Sequence, residues 1–483
     1  MKRTPSDGPP IESPAVSVSG PGSGPGIAPG VASGAGAGTW ASRPAGIPAS
    51  VPPPSVPLSF FAAAGLGLVA CGLALFWSRQ AAVVDPTDDS VVAAAHFAML
   101  ATLSMGVLGA IHQFVPVITQ RPLRSVTISR ATFVSWLLGA WMLPIGFATR
   151  HEPLVEAGGA FAALAVGLLV ANVAPALAAR GKGVPVTGLR LAVGGFVVTA
   201  GYGVIYAADR RGAWFDLSGH VVLAHAAVGL LGWLGLTYVS VAEKLWPMFL
   251  LAHVPGTRRS PALAVGGIAA GVLLLSPGLL FGVGPLAVAG AAFVVGGLGA
   301  HLVSLSLYVR HRRRVADLHL VFVVTAALYV LVGVALALAA ALAIHASHHR
   351  GVALVAASVA AIAGWLLVAL VGHAHKVVPF ILWSYLRGRG IRNGADGRQL
   401  MFADLYSRGA SVAAYGLVTL GAAAVVTGLA VSNAVLLGAG GILLAASAPV
   451  VAFNLSWRTL RLVARERAVA APTEPVVEGA AGR

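Results

Sequence analysis

The side chains in this chain best suited to chemistry are its 14 histidines, and several of them sit inside long apolar runs. His96 and His112 share one run, His220 and His225 another, His373 and His375 a third. An imidazole buried among aliphatic groups needs a partner, whether a hydrogen-bonding group, a proton relay or a metal. His96 and His112 stand 16 residues apart, about 24 Å along a helix, so one ion cannot hold both. Two levels follow. An outer level holds His96, His225 and His220. An inner level holds His112, His373 and His375, with Glu243, Lys244 and Lys376 beside them. Residues two apart on a helix differ by about 200°, so His373 and His375 point to opposite sides. Ionisable groups inside a membrane mark function by default; the plain alternative at the inner level is snorkelling to the interface. His151, His253, His311, His345, His348 and His349 read as surface or boundary residues. His301 and His319 lie near span ends with no assigned role.

Apolar runs must position these groups. Hydrophobic residues make up 57% of the 483-residue chain and charged residues 10%, with a mean hydropathy of +0.85. A soluble domain carries about 25% charged residues, so this chain reads as an all-α polytopic membrane protein whose first partner is the lipid bilayer. At about 20 residues per crossing, twelve spans are expected, near 57–77, 91–118, 131–149, 154–178, 188–208, 217–242, 261–281, 284–308, 318–344, 352–378, 409–431 and 434–455. The formal net charge of +16 belongs to loops between spans and does not point to nucleic acid. Basic residues gather after even-numbered spans, as in "RHRRR" at 310–314, while acids offset them after the first and fifth spans. That bias predicts both termini in the cytoplasm. The lone Cys71 excludes an intrachain disulfide and a cysteine-based metal site within one chain. The Pro-, Gly- and Ala-rich stretch 1–56 is expected to be a disordered tail without a cleavable signal peptide, and 468–483 a second tail, flanking a membrane domain at 57–460.

The runs also repeat. Pro116, Pro247 and Pro379 stand 131 and 132 residues apart near the ends of spans two, six and ten. Four positions before them come His112, Glu243 and His375; fourteen before come Thr102, Trp233 and Trp365. Twelve spans would then form three pseudo-repeated four-helix units, with spans two, six and ten at the centre.

This layout resembles subunit I of the haem–copper oxidase and nitric-oxide reductase superfamily. The resemblance rests on "HFAMLATLSMGVLGAIHQFVPVI", on "AHAAVGLLGWLGLTYVSVAEKLWPMFL", on the "HAH" at 373–375 and on the twelve-span count. It implies haem as cofactor, with copper as a second candidate. His96 would bind haem, His225 copper with His220 nearby, and His373 and His375 the haems, giving His96, His225 and His375 as metal ligands. It further implies a redox role in respiration or nitric-oxide handling beside other electron-transfer subunits, in a bacterial inner membrane. The chain departs from the family at span seven, "PALAVGGIAAGVLLLSPGLLF", and in the outer part of span ten, "ALVAASVAAIAGW", neither of which has a histidine. A complete dinuclear centre and the usual oxygen reduction are therefore not expected. Two alternatives stand beside this one: a proton- or ion-translocating transporter using His112, Glu243, Lys244 and Lys376, and a cofactor-free structural or assembly subunit.

Overall fold

The computed structural model describes residues 52–178, 183–214, 217, 219–255, 259–342, 347–394 and 396–470. Most of both expected tails lies outside the described residues, as do the loop residues Arg180, Lys182, Asp216 and Arg258. Among the described residues there are 12 helices long and apolar enough to cross a membrane, which is the number the sequence predicts. They are α1 (Ser55–Val84), α2 (Asp89–Thr119), α3 (Val126–Thr149), α4 (Glu152–Leu177), α5 (Gly183–Gly212), α6 (Gly219–Leu250), α7 (Ser260–Leu280), α8 (Gly284–Arg310), α9 (Leu318–Leu342), α10 (Gly351–Gly388), α11 (Arg408–Ala430) and α12 (Ala434–Glu466). The single strand-like pairing among the described residues is an isolated bridge between Asn393 and Gln399. An even number of traverses brings both ends of the bundle to one face, the termini face.

Most helices overrun their apolar stretch, because the backbone ladder continues wherever it costs less than exposing unpaired groups. α10 is the clearest case: Pro379 lies inside it, and the helix runs on to Gly388. The expectation that the repeated prolines end their helices therefore holds only for α2 and α6, which stop shortly after Pro116 and Pro247.

Three helices make the centre. The most apolar windows of α2, α6 and α10 are 56%, 61% and 56% buried, and no other helix exceeds 50%. Each contains a π-helical stretch at the same register: Phe97–Ser104, Val228–Gly235 and Ala360–Leu367. The three stretches touch one another pairwise. A π turn bonds i to i+5 and leaves irregular carbonyls that side chains must satisfy. Thr102 Oγ1 donates to Phe97 O at 3.0 Å, and Trp136 Nε1 to Leu100 O at 3.1 Å.

Around the centre, α3–α4, α7–α8 and α11–α12 pack as tight antiparallel hairpins. Glycine permits their close approach: a Cβ on Gly158 would lie 2.5 Å from Leu143 N, and one on Gly290 2.3 Å from Leu275 N. At the end away from the turn, side chains clasp each pair. Asn172 Oδ1 accepts from Ser125 N at 2.9 Å, and its Nδ2 donates to Ser129 Oγ at 2.8 Å. Asn454 does the same with Ser407 N at 2.7 Å and Ser411 Oγ at 2.9 Å. At the corresponding place in α7–α8, Ser304 Oγ donates to Ser260 Oγ at 2.8 Å.

Candidate functional site

Among the described residues, the buried charged side chains are Asp209 on α5, Glu243 on the termini half of α6 and Lys376 on α10. Glu243 lies one turn before Pro247 and is buried. Its Oε2 accepts a hydrogen bond from the Tyr308 hydroxyl at 2.6 Å. Its Oε1 faces His301 Nδ1 at 3.6 Å, too far for a hydrogen bond, and both atoms are buried without another partner. His301, Ser304 and Tyr308 follow i, i+3, i+7 spacing on α8, which puts them on one face of that helix.

Aromatic rings link this carboxylate sideways to the polar groups of α9 and α10. Tyr238 stands edge-on to His301, with centroids 5.6 Å apart, and edge-on to His373 at 5.9 Å. His373 meets His319 edge-on at 5.0 Å, and Trp246 stacks on His319 at 5.6 Å. His319 is also within electrostatic range of Lys376 and His375. There a cavity of about 30 Å³ is lined by Asp317, His319, His375, Lys376 and Tyr406 together with Leu318, Phe322 and Ser411, room for about one water. Lys376 Nζ donates to Asp317 Oδ2. The Lys376 side chain is 8% exposed and that of Asp317 38%, so the pair spans the step from interior to water. Burial, with the Asp317 carboxylate nearby, pushes the phenol of Tyr406 in the loop before α11 above its ordinary value; its hydroxyl keeps its proton at neutral pH.

Four histidines share one local device. His96, His112, His373 and His375 each place Nδ1 2.7–2.8 Å from the carbonyl four residues earlier. A carbonyl only accepts, so Nδ1 carries the proton and Nε2 keeps the lone pair. His319 Nε2 and His375 Nε2 are buried and have no hydrogen-bond partner. His375 Nε2, with Nδ1 bonded to Val371 O, is therefore an open proton acceptor beside the small cavity.

Of the expected inner set, Glu243, His373, His375 and Lys376 stand along this route. The H-x-H pair does diverge: His373 faces Tyr238 and His319, whereas His375 stacks on Phe322 at 5.5 Å and meets Tyr406 at 6.4 Å. His112 stands apart, stacked on Phe60 at 5.1 Å, because its position on α2 faces α1. Lys244 is exposed; the 100° step per residue turns it off the face that Glu243 occupies. At the outer level, His96 stacks on Phe147 at 5.1 Å, and His225 packs on Tyr206 at 5.8 Å with Nδ1 unpartnered. The two rings are within electrostatic range of each other. His220 is exposed and its Nδ1 lies 2.9 Å from Leu279 O, so it turns away from that pair.

His96, His225 and His375 do not form one metal set. His375 lies at the level of His112, about 24 Å below His96 by helical rise. Among the described residues there is no group of three or more His, Cys, Asp or Glu suited to a metal ion. His96 and His225 lie against Phe147 and Tyr206.

His301, Tyr308, His319, Tyr238 and Asp317 carry much of the site without having been singled out by sequence. The available signal was the polar stripe His301–Ser304–Tyr308 in an otherwise apolar helix. Compared with known protein families and with curated proteins, the chain matches none. Its helices establish a polytopic, all-helical membrane protein in contact with bilayer lipid.

Proposed function

We propose that the chain is a membrane-embedded proton relay, forming one limb of a proton- or ion-translocating path between the termini face and Glu243. The observation that carries this reading is the open pair of Glu243 Oε1 and His301 Nδ1, buried 3.6 Å apart. An unfilled acceptor on a buried carboxylate is costly, and a structural role would have filled it. In this reading Asp317 and Lys376 take protons from water, and the free Nε2 of His375 accepts them beside the unpartnered His319 Nε2. His373 and Tyr238 stand between those groups and His301, His301 exchanges with Glu243, and Tyr308 holds the carboxylate in position. The frame is a triplicated four-helix module around α2, α6 and α10. The basic loops after even-numbered helices support a cytoplasmic termini face, in the bacterial inner membrane expected above.

Reconstitution into liposomes holding a pH-sensitive dye tests the relay. An imposed potential should drive proton uptake through the native chain. Glu243→Gln should abolish it, and His319→Phe should slow it by about 100-fold, the worth of one positioned acid–base group. Equal flux in all three proteins would end this reading.

The His96–His225 pair, with its unpartnered His225 Nδ1, favours a second reading. This is the haem- or copper-binding redox protein, beside other respiratory subunits, that the resemblance to the haem–copper oxidase superfamily implies. Its signature is a reduced-minus-oxidised optical spectrum whose bands vanish in His96→Ala.

A further inference from the structure

Two tryptophans close gaps between the central helices, and a third gap is left open. The Trp233 indole stacks on Phe196 with centroids 3.9 Å apart and donates Nε1 to Ser104 Oγ at 3.0 Å. Trp365, 132 residues on, lies against Gly235, whose Cβ would sit 3.3 Å from its ring. Gly235 stands 131 residues after Ser104, so the two indoles occupy corresponding places. The next indole in this series would come from position 102 and face position 367. Position 102 holds Thr102, and position 367 holds Leu367. The residue matching Phe196 is Leu68: Gly67 and Gly195, just before them, make the same close approach, to Ala101 O and Gly232 O. Thr102, Leu68 and Leu367 all line one cavity of about 90 Å³. The void is a missing aromatic side chain in an otherwise repeated pattern.

Its shape and lining point to a ligand. The walls run from Leu68 to Ala82 on α1 and from Val91 to Thr102 on α2, about 16–21 Å at 1.5 Å per residue. Thr102 and Cys71 are the only lining residues that are not plain hydrocarbon, and Thr102 spends its hydroxyl on Phe97 O. Such a slot stays dry and takes apolar matter. Ala95, on its rim, is exposed. At the outer end Arg79 stands between the lining residues Leu75 and Ala82, on the same side of α1. Its guanidinium lies 4.3 Å over the Phe76 ring and donates to Phe76 O at 2.6 Å. Among the described residues no carboxylate pairs with it.

We propose that this slot binds one acyl chain of a bilayer phospholipid and that Arg79 holds its anionic headgroup at the face opposite the termini. A long, narrow, apolar cleft with an exposed rim residue matches an extended chain, and a cation free of carboxylates beside its outer end matches a phosphate. The purified full chain in mild detergent, offered dioleoyl phosphatidylglycerol or dioleoyl phosphatidylcholine, is read by native mass spectrometry. The native chain should keep a single lipid and prefer phosphatidylglycerol. Thr102→Trp restores the indole and should lower that adduct about ten-fold, the worth of burying about two methylene groups. Ala363→Phe fills the slot from α10 and should do the same, so that misfolding of one variant cannot imitate displacement. Arg79→Gln should keep the adduct but lose the headgroup preference. Undiminished adducts in both filled variants, each melting no lower than the native chain, would overturn the proposal. So would a preference for phosphatidylglycerol that survives in Arg79→Gln.

Discussion

Glu243→Gln should make the protein more stable while removing its proton flux. In the native chain, Glu243 Oε1 and His301 Nδ1 face each other at 3.6 Å, both buried and both unpartnered. Glutamine keeps an oxygen for the Tyr308 hydroxyl, which donates to Oε2 at 2.6 Å. It also turns an N–H towards His301 Nδ1, where a closure of about 0.6 Å gives a hydrogen bond of ordinary length. A hydrogen bond gained is worth about 1 kcal/mol, and each relieved buried polar atom about 1–3 kcal/mol. A net gain of about 1–3 kcal/mol follows. For a chain of this size, that is a rise in Tm of roughly 1–3 °C. Differential scanning fluorimetry in detergent measures the shift, and the liposome assay measures flux on the same preparation. Glu243→Ala is the contrast: it removes the acceptor of the Tyr308 hydroxyl hydrogen bond and opens a void, and it should melt lower. A Glu243→Gln protein that melts below the native chain, or that still conducts, would refute the reasoning, because either result means that the carboxylate was satisfied or was not needed.

Other perturbations have worked-out directions. Trp233→Ala should cost about 3–5 kcal/mol, read by thermal denaturation, since it empties the stack on Phe196 and strands Ser104 Oγ. Asn172→Ala and Asn454→Ala should each cost about 1–3 kcal/mol; their hairpins are separate, so a double variant should show the sum. Lys376→Met leaves Asp317 without its partner and should slow proton entry from the termini face in the liposome assay more than exit towards it. Asp88 caps α2, and the Ser90 hydroxyl and amide, with the Arg150 charge, hold its carboxyl below the usual carboxylate range. Its contribution to stability is therefore present in full above about pH 4 and is lost as pH falls through the lowered value. Asp88→Asn, which still caps, should flatten that part of a Tm-against-pH curve.

Hydropathy and charge bias were enough to count the spans, because each crossing needs its own apolar run. They did not place the ends: α10 passes Pro379, since a proline removes one hydrogen bond and the next turns restore the ladder. The prolines at 131- and 132-residue intervals marked the central helices correctly, but nothing in hydropathy reveals an i to i+5 turn, so the π stretches went unseen. The tryptophan at minus fourteen read as an incomplete feature at Thr102; in three dimensions that gap is the cavity beside Leu367. Glu243, His373 and His375 were legible as costly polar groups in hydrocarbon. Tyr308 and Tyr238 were not, since a tyrosine in a membrane helix more often anchors at the interface. His301 and His319 could be assigned only once α8 and α9 were seen to lie against α6 and α10. Lys244 misled because sequence adjacency to Glu243 says nothing about helical face.

The hairpins of the outer wall are closed twice, by a tight turn at one end and by an Asn–Ser or Ser–Ser clasp at the other. A pair of helices fastened at both ends behaves as a single stave. It can complete its own contacts before it meets the rest of the bundle, and it resists splaying afterwards. Compliance is then left to the inner axle, where prolines and widened turns already loosen the backbone. In the proposed relay, ring reorientations of the imidazoles would thus take place inside a casing that does not need to breathe.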